Sequence, residues 1–154
     1  ARECVISRKH KYVKAEGEDW NSIMTGIMQP KGNIHLNIGT QLTSDEIAAA
    51  ALCDKNDRYQ LIRHAVDLRI IDGYMLWKNN YVAYDLLNHS FKYSDMYDIS
   101  DIEKFVAYME HQLDTVEKEL NREDLRRIFL EIYANPVVTK ELLLKEKQTG
   151  AILL

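Results

Sequence analysis

Apolar residues recur along this chain with helical spacing in some stretches and with strand-like alternation in others. Over residues 18–28, Trp20, Ile23, Met24, Ile27 and Met28 fall on one side of a helix that starts at Glu18 and Asp19 and stops at Gln29-Pro30. Residues 33–39 alternate instead. Ile34, Leu36 and Ile38 share one side and Asn33, His35 and Asn37 the other, the pattern of a half-buried strand. Residues 4–14 mix β-branched with basic side chains and suit an edge strand or a basic arm.

Thr43-Ser44-Asp45-Glu46 has the form of a capping box, in which a threonine oxygen and a glutamate carboxylate each take an otherwise orphaned backbone N–H. It predicts a helix running through Ile47 and four alanines to Leu52. A tight turn at residues 53–56 leads to a second helix, over about residues 57–69, with Tyr59, Ile62, Ala65, Val66 and Ile70 inward. Asp72-Gly73 ends it. Short aromatic and β-branched runs at 74–77 and 81–84, around Lys78-Asn79-Asn80, then predict a β-hairpin.

A second capping box, Ser100-Asp101-Ile102-Glu103, opens the longest helix. Ile99, Ile102, Val106, Met109, Leu113, Val116 and Leu120 are spaced alternately three and four apart, a coiled-coil seam of about three heptads. Such a seam pairs with a second copy or another protein, through residues 99–133, or packs on the chain's own helices. Asn121 breaks it and caps a helix carrying Leu125, Ile128, Phe129 and Ile132, which Asn135-Pro136 terminates; residues 139–147 suit a last helix and 150–154 a tail, free or docked on a neighbour.

The fold class read from these patterns is mainly α with a small β-hairpin or sheet, in two parts, residues 1–94 and a helical extension over 95–154. Charge sharpens the division. The chain of 154 residues carries a net −4, yet residues 1–94 hold twelve Lys or Arg against eleven Asp or Glu, and residues 95–154 hold eight against thirteen. A phosphate-facing surface therefore belongs to the first part. Cys4 and Cys53, without a CxxC pairing, point to free thiols in a reducing compartment. No apolar run approaches the ~18 residues of a membrane span, and the first residues are polar and basic rather than a signal core. The expectation is a cytoplasmic protein without a membrane role, or one of the host cytoplasm or nucleus if a virus or phage encodes it.

Strand, capped helix, tight turn, second helix and hairpin, in that order within residues 33–84, resemble the winged helix-turn-helix superfamily. The resemblance rests on residues 43–52, on residues 58–66, and on Leu68-Arg69-Ile70-Ile71-Asp72-Gly73-Tyr74 as the exit toward a wing, although Arg69 stands where many members carry glycine. It implies a winged-helix module at residues 1–94 whose second helix enters the major groove of duplex DNA, and a role in transcription or replication. Lys55, Asn56, Arg58, Gln60, Arg63 and His64 would then meet bases and phosphates, and Lys78, Asn79 and Asn80 at the wing tip would touch the backbone. Arg8, Lys9 and Lys11 add a basic cluster.

The residues offer no glycine-rich phosphate loop, nucleophile elbow or triad, so the chain is expected to bind rather than catalyse and to need no cofactor. His35, and Cys53 with His64, lack a recognised zinc spacing, and Glu16, Glu18 and Asp19 suit the first turn of a helix. Tyr74, Trp77, Tyr81 and Tyr84 could stack on bases or on one another. The alternative function is a protein-binding adaptor or inhibitor, of the kind a virus or phage uses to capture a host enzyme, acting through the acidic C-terminal helices.

Overall fold

A computed structural model describes residues 2–9, 11–30, 32–116 and 118–149. Residues 150–154, read above as a tail, lie outside them. Seven helices follow one another: α1 (Arg2–Ser7), α2 (Glu18–Met28), α3 (Ser44–Ala51), α4 (Lys55–Gly73), α5 (Lys78–Asn88), α6 (Ile99–Asp114) and α7 (Arg122–Thr149). No strand occurs among the described residues, which overturns the expected hairpin and sheet and with them the winged-helix architecture.

The hairpin expectation failed on a period. Residues 78–80 are the first turn of α5, not a tip, and the buried Val82, Ala83 and Asp85 that follow lie on one helical face. Asn80 settles the boundary by accepting the Trp77 N–H at 2.8 Å with its side chain. The segment at 4–14 likewise holds α1 and a loop in place of an edge strand, and residues 33–39 form neither strand nor helix.

The core lies where α5 and α6 pack against α7, with α1 docked on α7. The Phe105 ring meets Tyr133 edge-on at 5.2 Å and Phe129 at 6.1 Å, and Val82, Met109, Leu113, Leu125, Ile128 and Ala134 fill the space around them. The helices thus group across the 94/95 boundary, since α5 shares its core with α6 and α7. The α6 helix starts at Ile99, earlier than the Ser100 box places it. Asp101, not Glu103, accepts the N-terminal amide, that of Asp98, at 2.9 Å.

The α7 helix starts where Asn121 accepts the Asp124 N–H at 2.9 Å, and it runs on through Pro136, which was expected to end it. Proline removes one helical N–H and crowds the carbonyls of the preceding turn. Neighbours occupy carbonyls here: Asn80 Nδ2 donates to Tyr133 O at 2.8 Å, and the Tyr74 hydroxyl donates to Pro136 O at 2.5 Å. These tertiary contacts fasten the helix to α5 and Tyr74 around the proline.

Residues 18–73 form an arm on this core. α3 packs on α4 and α4 on α7, whereas α2, tied to α1 by the Arg2–Glu18 ion pair at 3.9 Å, packs its backbone on no other helix among the described residues. Thr43 and Glu46 make the capping box as read from sequence: Glu46 N donates to Thr43 Oγ1 at 3.2 Å and Thr43 N to Glu46 Oε2 at 2.7 Å. No described helix is long and apolar enough to cross a membrane.

Candidate functional site

The residues nominated for nucleic acid fall into three groups that no described hydrogen bond or ion pair joins. Lys55, Asn56, Arg58, Gln60, Arg63 and His64 are all exposed on the first turns of α4. Arg58 is turned back to α3, donating to Ala51 O at 3.2 Å and Cys53 O at 3.4 Å, so it closes that helix's C-terminus. The second group has no wing to stand on. Lys78 is paired with Asp101 at 2.7 Å and Asp98 at 3.3 Å, hydrogen bonds that raise its pKa; Asn80 is spent on Trp77 and Tyr133; Asn79 is exposed. Arg8 and Lys9 follow α1, and Lys11 sits in the loop beyond, all exposed.

Most of the coiled-coil seam is occupied from within. Met109 and Leu113 are buried, Ile102, Val106, Val116 and Leu120 pack against the same core, and Ile99 alone of the seven is exposed. Opening the whole seam to a second chain would mean prising α6 from α5 and α7. On the outer side, Glu110 accepts from Arg122 at 2.6 Å and from Arg126 Nε at 3.1 Å, and these two cations lower its pKa.

No three His, Cys, Asp or Glu converge among the described residues in a way that could hold a metal. His35 Nε2 donates to Gly73 O at 3.0 Å, Glu18 takes the Tyr12 hydroxyl and the Ala15 N–H, and Asp19 pairs with Lys14 at 2.6 Å. Both cysteines are free thiols, Cys4 exposed. Tyr81 packs its ring on Tyr93 at 5.1 Å and Tyr84 packs on Tyr93 at 5.0 Å, so these aromatics face one another.

Two polar constructions went unread in the sequence. Asp85, buried at 3 % exposure, accepts from Ser90 Oγ at 2.5 Å, Lys92 N at 3.0 Å, Tyr93 N at 2.9 Å and the Tyr97 hydroxyl at 2.8 Å. Burial alone would push its pKa up, but these four donors outweigh it and hold the carboxyl below its ordinary value. Burial and the bond to Asp85 push Tyr97 up to about 12, so it stays a neutral donor. The other construction joins arm to core. Lys140 Nζ donates to the carbonyls of Ile71 at 2.9 Å, Asp72 at 2.8 Å and Tyr74 at 2.9 Å, while Tyr74 reaches α7 through Pro136 and Thr139. A lysine at a helix C-terminus is a weak sequence signal, because 66 or more residues separate it from these partners.

The arm itself presents apolar side chains outward. Trp20 is 65 % exposed, Ile23 56 % and Ile27 67 %, on a helix none of whose residues is buried. Matched against protein families, curated proteins and solved structures, the chain finds no counterpart.

Proposed function

We propose that this protein works by binding and not by catalysis, its arm docking on a partner protein while the α5–α6–α7 core holds the arm in place. The single observation that carries this reading is α2. Its apolar residues keep the helical spacing that normally marks a buried face, yet no other helix covers them. Eleven residues are also too few for a stable helix in water on their own, so a second surface is needed to complete it. Lipid is a poor candidate for that surface, because the polar side of α2 carries Glu18 and Asp19 and no lysine or arginine. Free Cys4 and Cys53 fit work in a reducing compartment such as the cytoplasm.

The test places a photo-reactive benzophenone side chain at Ile23 and, separately, at Glu103 on α6. Adducts at 23 and not at 103 support the reading. Adducts confined to 103 would move the working surface to the acidic helices, and none at either position would remove protein docking. Nucleic acid is tested alongside by titrating the chain with random duplex. Binding that weakens steeply with salt and is lost with Arg63→Ala would replace docking by recognition through α4.

A further inference from the structure

Residues 33–39 keep the alternation of a strand, and the structure shows which side faces where. The polar side lies on α4: His35 donates to Gly73 O, and Asn37 comes so close that a Cβ at Gly73 would lie 1.8 Å from its Nδ2. A Cβ at Gly39 would lie 3.5 Å from Arg69 Cβ, and Arg69 donates to Thr40 Oγ1 at 3.2 Å and Gln41 O at 3.4 Å. The apolar side is open to solvent. Ile34 is 76 % exposed, Leu36 83 % and Ile38 89 %. Asn33, His35 and Asn37 are exposed as well, so the segment buries neither side, whereas alternation ordinarily buries its apolar side against the rest of the chain.

No backbone-to-backbone hydrogen bond is made by residues 33–42 among the described residues. The segment contains no lysine, arginine, aspartate, glutamate or proline, the residues that ordinarily keep a free strand from pairing. Seven residues span roughly 23 Å as a strand, an ordinary strand length.

We infer that residues 33–39 are a β-strand whose sheet is supplied by a partner, a sheet already built, with an apolar face and a free edge to which this segment adds. This rests on the docking reading above. The occupant follows from what must be satisfied. A helix laid on Ile34, Leu36 and Ile38 would cover the side chains but leave the backbone amides and carbonyls open, whereas a sheet edge satisfies both together. A second copy pairing through the same segment would give only a two-stranded ribbon, which is marginal in water. The described residues hold no strand of their own to offer. On joining, the partner's apolar face continues through Ile34, Leu36 and Ile38, while the other side keeps its contacts to the end of α4 through His35 and Asn37. Leu36, Val66 and Ile70 line one cleft at that junction.

The experiment sets the benzophenone side chain in turn at positions 34, 36, 38 and 23 of the full chain and follows amide exchange of residues 33–39 in the purified complex. The expected result is adducts from 34, 36 and 38 at every second residue of one partner segment, with the amides slowed by about 100-fold or more. Adducts from 23 with none from 34–38, helix-like spacing of the adducts, or unslowed amides would overturn strand addition and leave docking standing. Adducts on residues 34–38 of a second copy would overturn it in favour of self-pairing. Silence at both 23 and 36 would take the docking reading down as well.

Discussion

The arm and the core treat apolar residues in opposite ways. In the core, Phe105, Met109, Leu113, Leu125 and Ala134 are all at or below 3 % exposure and belong to one packed cluster. Among the described residues of 18–73 the only buried hydrophobics are Ala50 and Ala65, while Trp20, Ile27, Leu36 and Ile38 stand in solvent. The whole chain exposes 11532 Å², against about 8,000 Å² for a compact protein of this size. Periodicity in a sequence says that a face is to be covered. It does not say whether the cover comes from the same chain.

The sharpest way to break this contrast is a charge on each side of it. Met109→Lys should leave the chain unfolded, because a buried cation without a partner is among the costliest single changes. Circular dichroism and sedimentation together would show it. A folded Met109→Lys protein of smaller mass than wild type would instead make the seam intermolecular and erase the distinction between core and arm.

Next in size is Asp85→Ala, which strands two backbone N–H groups and two hydroxyls and should cost about 3 kcal/mol by thermal melting. A pH dependence accompanies it. The folded carboxyl titrates below its ordinary value, so the unfolded chain binds the proton first as pH falls. The stability it supplies is complete above the ordinary carboxylate range and is lost as pH drops through the lowered folded value. Acid unfolding of Asp85→Asn should therefore be the less steep in that window, and identical slopes would show that other carboxylates govern the acid limb.

The smallest effect belongs to the arm. Trp20→Ser should move the stability of the isolated chain by no more than about 0.5 kcal/mol, since the ring loses little on exposure it already has. The same change should abolish crosslinking from position 23. A melting temperature that fell as far as that of Asp85→Ala would place α2 inside the cooperative unit.

Much of the helical framework was legible because its signals are local. Trp20, Ile23 and Ile27 gave α2 with both ends, Thr43 and Glu46 gave the start of α3, and Asn121 gave the start of α7. The start of α6 was misplaced locally, on Glu103 in place of Asp101, and the larger failures involve distant partners. Tyr74, Val82 and Tyr84 have strand-like side chains, yet Val82 and Ala83 become helical when α7 supplies the surface for a helical face. Pro136 reads as a stop until Tyr74 and Asn80 take up carbonyls around it. Of the candidate site, the apolar exposure of the arm was hidden for a simpler reason. The alternation of Ile34, Leu36 and Ile38 marks two faces and leads one to expect the apolar one inside, whereas His35 and Asn37 are the ones that touch α4 and the apolar three stand in solvent.

Lys140 has a consequence for how the arm meets anything at all. An ammonium carries three protons in a tetrahedral fan, and here each has its own acceptor, on Ile71, Asp72 and Tyr74. Three acceptors set around one nitrogen act as a tripod. They resist tilting of the α4 end in any direction, and the Tyr74 hydroxyl on Pro136 resists sliding along α7. The end of α4 is thus held at one fixed angle, and a surface that is already aimed loses less orientational freedom when it is met.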